Sequence, residues 1–350
     1  MDSGQHIISR PKIIRGIKIF AVLTLIGLFL IIYRASFAES IKLLKEFSFL
    51  HLALIVLLLA FDWIVSGARI LVFAAKVHPE ISLLGCIRAS LANVFLGGVT
   101  PSQTGGGAGQ IYILHKEGMG GIDATVVSFL GFFNSVIFLS AAGIIINVFF
   151  KPDFNSLTLR YFSTTTIVLF SLISAAVILA LIDPSLFESV IRSFLGIVPA
   201  LKKWLARSAT MKKFFEAVRR YHMLMHGFLK RGKLVLAAGF LLTAVIYFTK
   251  FVMAYLVIGG LGIDVNFWQV IYLQLILILV FYFSPTPGAS GVAEVSTAYI
   301  MGHVIPGSHT GIFVLLWRFF TLFLGMIAGA YILMRILLKS DRRAAGGKVS

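Results

Sequence analysis

The chain has 350 residues, of which 59% are hydrophobic and only 13% charged, with a mean hydropathy of +0.96. Soluble proteins carry about 25% charged residues, so a water-soluble globule is excluded and a polytopic membrane protein is expected. The formal net charge of +17 comes from 31 Lys and Arg clustered between and beyond the apolar runs, which points to membrane orientation and anionic headgroups and away from nucleic acid.

Taken in chain order, Arg10, Lys12, Arg15 and Lys18 lead into an apolar run ending at Tyr33, with Ser36-Phe37-Ala38 as a faint cleavage pattern. Because more apolar runs follow, an uncleaved first helix is expected over 17–33. Further spans are predicted over 50–73, 122–150, 161–182, 234–258 and 311–338, each long enough to cross the hydrocarbon core as a helix. Two other apolar segments, 81–97 and 267–283, run into sequences that cannot continue a straight helix. These are the stretch from Gly97 through Pro101 to Gly107, and Ser284-Pro285-Thr286-Pro287-Gly288-Ala289-Ser290-Gly291.

Between residues 199 and 233 lie ten Lys or Arg against one acid, Glu216, so this segment is assigned to the cytoplasm together with the N-terminus and the tail bearing Lys339, Arg342 and Arg343. The expected setting is therefore the cell membrane, with both termini cytoplasmic. Four unbroken spans precede the basic segment and two follow it, so neither broken segment makes a net crossing. Both are predicted as re-entrant hairpins, 81–117 entering from the cytoplasm and 264–305 from outside. The two segments also match in sequence at a shift of 184 positions: Glu80 meets Asp264, Ser82 meets Asn266, Pro101 meets Pro285, Gly107 meets Gly291 and Gln110 meets Glu294. The expected fold is an all-α polytopic membrane protein of six full spans plus two re-entrant broken-helix hairpins, arranged as an inverted repeat. Its parts are an N-terminal segment with the first span (1–49), a first repeat (50–150), a linking span with the basic segment (151–233), a second repeat (234–338) and a basic tail (339–350).

Irregular backbone at membrane depth must be surrounded by protein or line a watery cavity, and the breaks are expected to line such a cavity. From the first break the candidate site residues are Pro101, Thr104, Gly105, Gly106, Gly107 and Gln110; from the second, Pro285, Pro287, Gly288, Gly291 and Glu294. The glycines either let backbone approach a ligand, with half-helix N-termini presenting free N–H groups to phosphate or carboxylate, or serve close helix packing. Ionisable residues at membrane depth complete the set: Asp62, Arg69, Arg88, Lys250, Glu294 and Arg318. Asp62 and Arg69, seven residues apart, share a helix face, and Glu294 is expected to pair with Arg318, Lys250 or Arg88. Asp123 is assigned as a helix cap. Neither glycine stretch has a P-loop ending, the lone Cys86 cannot form an internal disulfide, and no Cys/His set offers a metal site, so no cofactor is expected. His222 and His226 lack a third ligand nearby. Their basic segment, with Trp204, Phe214 and Phe215, is either an amphipathic surface helix or an orientation signal.

Val99-Thr100-Pro101-Ser102-Gln103-Thr104-Gly105-Gly106 followed by Gln110-Ile111-Tyr112, and Pro285-Thr286-Pro287-Gly288-Ala289-Ser290-Gly291 followed by Ala293-Glu294, resemble the paired signatures of the lysylphosphatidylglycerol synthase transmembrane, or flippase-like, family. Leu316-Trp317-Arg318-Phe319-Phe320 resembles that family's arginine in the final helix. The resemblance covers nearly the whole chain. It implies a membrane region associated with moving a lipid product across the bilayer, here as a stand-alone member, since residues 339–350 leave no room for an aminoacyl-transferase domain. Where the family often has an acidic–arginine pair, this chain has Phe133-Asn134-Ser135, so no charged role carries over to Asn134. The expected function is translocation of the headgroup of an anionic or aminoacylated phospholipid, or of a lipid-linked saccharide, with Glu294 as the proton-coupled group. The alternatives are a membrane enzyme of glycolipid or aminoacyl-lipid synthesis, using Asp62 and Glu294 as acid and base, or an accessory subunit presenting lipid to a separate synthase. The expected partners are membrane lipids, with a homodimer or a separate lipid-modifying enzyme left open.

Overall fold

The computed structural model describes residues 37–149, 232–282 and 284–346, residues 18 and 22, and scattered positions between 161 and 175 and between 220 and 230. In chain order its helices are α1 (Phe37–Glu46), α2 (Phe49–Ala74), α3 (Leu83–Gly98), α4 (Gly105–Lys116), α5 (Gly121–Phe149), α6 (Lys233–Gly260), α7 (Phe267–Tyr282), α8 (Val292–Met301), α9 (Gly307–Arg318) and α10 (Leu324–Gly346). A π-helical turn, Phe319–Phe323, joins α9 to α10, and no strand occurs among the described residues.

Among the described residues four helical stretches are long and apolar enough to cross a bilayer: α2, α5, α6 and the α9–α10 run. Leu, Ile, Val, Phe and Ala dominate them, and a helix is the conformation that satisfies every backbone N–H and C=O without water. Their ends fall within a few residues of the predicted spans 50–73, 122–150, 234–258 and 311–338. The predicted span 17–33 lies almost wholly outside the described residues. Of 161–182 only a part is described, including residues 167–175, which are helical. His222, Trp204, Phe214 and Phe215 also lie outside. Asp123 sits in the first turn of α5, where a carboxylate complements the helix dipole, and meets Arg220 at 3.4 Å.

Each predicted break is a helix–break–helix unit whose two halves pack against one another, α3 on α4 and α7 on α8. The first helix of each unit has 16 residues, and 83 + 184 = 267, so both begin at equivalent positions of the sequence match. The matched residues Ser82 and Asn266 do the same work. Ser82 Oγ accepts from the Gly85 N–H at 3.0 Å, and Asn266 Oδ1 accepts from the Trp268 and Gln269 N–H groups at 2.9 and 3.3 Å, which are side-chain caps for otherwise orphan donors. Thr100 closes the first break, its Oγ1 donating to the Leu96 carbonyl at 2.6 Å and accepting from the Gly105 N–H at 2.8 Å.

The two breaks meet. Pro101 and Pro287 form an antiparallel bridge, and Ser102 Oγ donates to the Ser284 carbonyl at 3.1 Å. All three non-glycine residues with positive φ among the described residues lie here, Ser102 (48°), Gln103 (55°) and Ala289 (56°). That left-handed backbone is costly for residues with a Cβ and persists only where surroundings over-determine it.

The apolar interior divides into two clusters. One gathers Ile55, Leu59, Val136, Leu139, much of α6 and α7, and Trp317 and Phe320; the other gathers Ile70, Phe73, Leu130, the α3–α4 unit, Met326 and Leu333. Each long helix passes from one cluster to the other and carries polar residues near mid-length, between them: Asp62 on α2, Asn134 and Ser135 on α5, Thr243 and Lys250 on α6, and Thr321 on the α9–α10 run. The candidate site is built in this layer.

Candidate functional site

The cations expected at membrane depth do not share a single carboxylate. Arg318, at the C-terminus of α9, donates through Nη1 to Glu294 Oε1 and through Nη2 to the Gly288 carbonyl at 2.8 Å. Glu294 Oε2 accepts from the Gly291 N–H at 2.6 Å, reaching back from the first turn of α8 to the residue before it. With Arg318 3% and Glu294 0% exposed, this pair clamps the second break: one side chain holds a carbonyl within it, at Gly288, the other an N–H at its end. Of the three expected cation partners, Glu294 takes Arg318.

Lys250 on α6 donates instead to both oxygens of Asp62 on α2, at 3.0 and 3.1 Å. The carboxylate is nearly buried and the ammonium is 31% exposed. Arg88 pairs with Glu117, just beyond α4, at 3.2 Å, holding the open end of the first unit and lining neither cavity described below. The two carboxylates that an acid–base mechanism would need, Asp62 and Glu294, are thus each bound to a cation of their own.

Arg69 differs. Its Nη1 donates to Ser135 Oγ at 3.0 Å and Thr243 Oγ1 at 3.3 Å, and its Nε is buried without a partner. Among the described residues no carboxylate lies within ion-pair distance of it.

Two adjoining cavities of about 230 and about 170 Å³ occupy the polar layer, with Asn93, Tyr247, Lys250 and Tyr282 in the walls of both. The larger also reaches Gly288, Gln103, Gln274, Trp317 and Arg318; the smaller reaches Asp62, Arg69, Gln110 and Ser135. Asn93 Nδ2 donates to Gln110 Oε1 at 3.0 Å, and the Tyr247 and Tyr282 hydroxyls lie 3.2 Å apart. Of the predicted site residues, the structure therefore brings Asp62, Arg69, Gln110, Lys250, Gly288 and Arg318 to the cavities.

Apart from Arg88, the remaining predicted site residues lie in or beside the breaks without lining either cavity. Pro101 and Thr104 are exposed, and Thr104 Oγ1 turns back to the Pro101 carbonyl at 2.9 Å. Gly105 and Gly106 serve close packing, since a Cβ at Gly105 would come within 2.9 Å of the Leu96 carbonyl and one at Gly106 within 3.0 Å of the Asn93 carbonyl. Gly107 faces open space. Pro285 is exposed, Pro287 is buried in the bridge, and Gly291 adopts φ 81°, a conformation suited to glycine.

A family model for the lysylphosphatidylglycerol synthase TM region matches residues 16–329. The chain belongs to that family. It is similar to a UPF0104 membrane protein of Archaeoglobus fulgidus, 26% identical over 325 residues that cover 91% of this chain and 97% of the relative. This member of the lysylphosphatidylglycerol synthase TM family is thus a multi-pass membrane protein whose buried ion pairs and polar cavities lie between apolar clusters.

Charge and glycine patterns could not reveal the uncharged walls. Asn93 and Gln274 are amides inside apolar helices, polar groups that at membrane depth need a partner, whereas Tyr247 and Tyr282 look from sequence like any other core aromatics.

Proposed function

We propose that the protein moves the headgroup of an anionic or aminoacylated phospholipid, or of a lipid-linked saccharide, across the membrane through the paired cavities. The observation that carries this reading is the placement of a charged and polar cavity layer at mid-length of four spanning helices. Lipid tails give no reason to retain Asp62, Arg69 and Lys250 there, and such residues mark substrate paths. The two helix–break–helix units, with equivalent caps and breaks that meet, support an inverted repeat of re-entrant hairpins, and the basic segments support a protein with both termini cytoplasmic in the cell membrane. Crossed breaks place irregular backbone beside the cavity, where its polar groups need not face lipid. Lys250, shared by both cavities and partly exposed, is the group suited to exchange Asp62 for a passing anion.

The test is headgroup accessibility in sealed proteoliposomes containing fluorescent phosphatidylglycerol, lysylphosphatidylglycerol or a lipid-linked sugar, read by quenching of the outer leaflet. Protein-dependent equilibration that slows in Lys250→Met supports the proposal. A folded, reconstituted protein that moves none of these lipids overturns it and favours the enzyme or accessory alternatives.

A further inference from the structure

Within this reading of the cavities, Arg69 is, among the described residues, the buried cation with no carboxylate at ion-pair distance. Ser135 Oγ and Thr243 Oγ1 accept from its Nη1, and their own protons go to the carbonyls of Gly131 at 3.1 Å and Gly239 at 2.8 Å. These hydroxyls orient the guanidinium without neutralising it. Asp62 lies seven residues earlier on the same helix, about 10 Å along the axis, and its two oxygens are already held by Lys250. The Nε–H of Arg69 remains unpartnered. A planar guanidinium held on one side, with donors left over, suits a phosphate oxygen pair better than a point contact.

The charge balance narrows the ligand. Among the described residues, the cavities are lined by three cations, Arg69, Lys250 and Arg318, while Asp62 and the Arg318-bound Glu294 supply two negative charges. The surplus is one positive charge, which a single monoanion cancels. A phosphodiester carries that charge, whereas an aminoacylated headgroup adds ammonium beside cations whose carboxylates are already taken. Gln274 and Trp317, in the wall of the larger cavity, also have side-chain N–H groups without partners. They are donors suited to the hydroxyl or ether oxygens of a glycerol or sugar, and the indole of Trp317, a donor only, cannot accept from an ammonium.

We propose that the smaller cavity is a phosphodiester subsite led by Arg69, selecting headgroups with no compensating cation, with the larger cavity taking the hydroxyl-bearing remainder. In transport this subsite favours phosphatidylglycerol-like lipid over its aminoacylated form.

The test is equilibrium binding to the purified full chain in phosphatidylcholine nanodiscs, using labelled phosphatidylglycerol, with lysylphosphatidylglycerol, soluble glycerophosphoglycerol and inorganic phosphate as competitors. The expected result is saturable binding of phosphatidylglycerol, at least tenfold weaker competition by lysylphosphatidylglycerol, and about a tenfold or greater loss in Arg69→Gln, in line with the strength of hydrogen bonds to charged groups, with partial recovery in Arg69→Lys. Equal affinity for the two lipids overturns the selectivity, and this arm needs only the unmodified protein. Unchanged binding by folded Arg69→Gln overturns the assignment of the site. Displacement by inorganic phosphate as effective as by lipid overturns a lipid source and leaves a free-anion site. Arg69-dependent binding without movement in proteoliposomes sinks translocation alone, whereas movement unaffected by Arg69→Gln sinks the subsite and leaves translocation standing.

Discussion

Arg318→Ala perturbs the part of the structure with least freedom to adapt. It leaves Glu294 as a fully buried carboxylate holding only the Gly291 N–H, and frees the buried Gly288 carbonyl. Removing one partner of a buried pair costs about 3–5 kcal/mol, and a stranded acceptor costs about 1–3 kcal/mol. Because neither residue is more than 3% exposed, solvent screening does not soften the first figure. Glu294→Gln strands the guanidinium in the same way, with a loss of about 3–5 kcal/mol. The double variant Glu294→Gln/Arg318→Ala removes both charges, and its loss is expected to be close to that of either single variant. The cycle then shows a coupling of several kcal/mol, beyond the upper end of about 3 kcal/mol usual for contacting pairs. The assay is SDS titration of the protein in mixed micelles, followed by helical circular dichroism. Single losses below about 1 kcal/mol, or a double loss equal to the sum of the singles, would refute the argument that this pair clamps the second break.

Other outcomes follow from the same contacts. A Cβ at Gly329 would overlap the Leu91 carbonyl where α10 packs on α3, whereas Gly107 has open space; Gly329→Val should lower SDS resistance clearly and Gly107→Ala by less than about 0.5 kcal/mol, and the reverse order would contradict the packing. Lys250→Met leaves Asp62 buried without its cation, so the single variant should lose about 3 kcal/mol or somewhat less, given the partly exposed lysine, and Asp62→Asn/Lys250→Met should recover most of it. Additive losses would show that the pair is not coupled. Cys86 is fully buried, so maleimide labelling in mild detergent should proceed only as fast as unfolding and become complete in SDS; prompt labelling of the folded protein would place Cys86 at an accessible surface. Ala289→Gly removes the Cβ from a residue at φ 56° and should be neutral or stabilising by up to about 1 kcal/mol, checked by the same titration, with a clear loss showing that its methyl packing outweighs backbone strain.

Local features of the chain made much of the fold legible. Runs of apolar residues long enough to cross a bilayer located α2, α5, α6 and the α9–α10 run to within a few residues, because hydropathy and helix length are properties of contiguous sequence. Proline located both breaks, since a ring without an N–H cannot continue a helix interior; at the second break Gly288 and Gly291 adopt positive φ, whereas at the first that conformation falls on Ser102 and Gln103. Ser82 and Asn266, paired in the sequence match, each cap the helix directly after them. The site was legible only in part. Charge at membrane depth singled out Asp62, Arg69, Lys250 and Arg318, all of which line the cavities, but also Arg88, which holds the end of the first unit. The glycines at 105 and 106 signalled close approach correctly, yet what approaches is the backbone of the preceding helix.

By itself, then, the sequence determined that the chain lies in a membrane, where its long helices run and where two further helical segments are interrupted. Only the tertiary structure decided which cation meets which carboxylate. Lys250 and Asp62 are 188 residues apart, and the hydroxyls that hold Arg69 are 66 and 174 residues away from it. Such partners are chosen by how helices pack, and no local pattern carries that information. That Arg69 has no carboxylate at ion-pair distance is visible only after the other pairings among the described residues have been made.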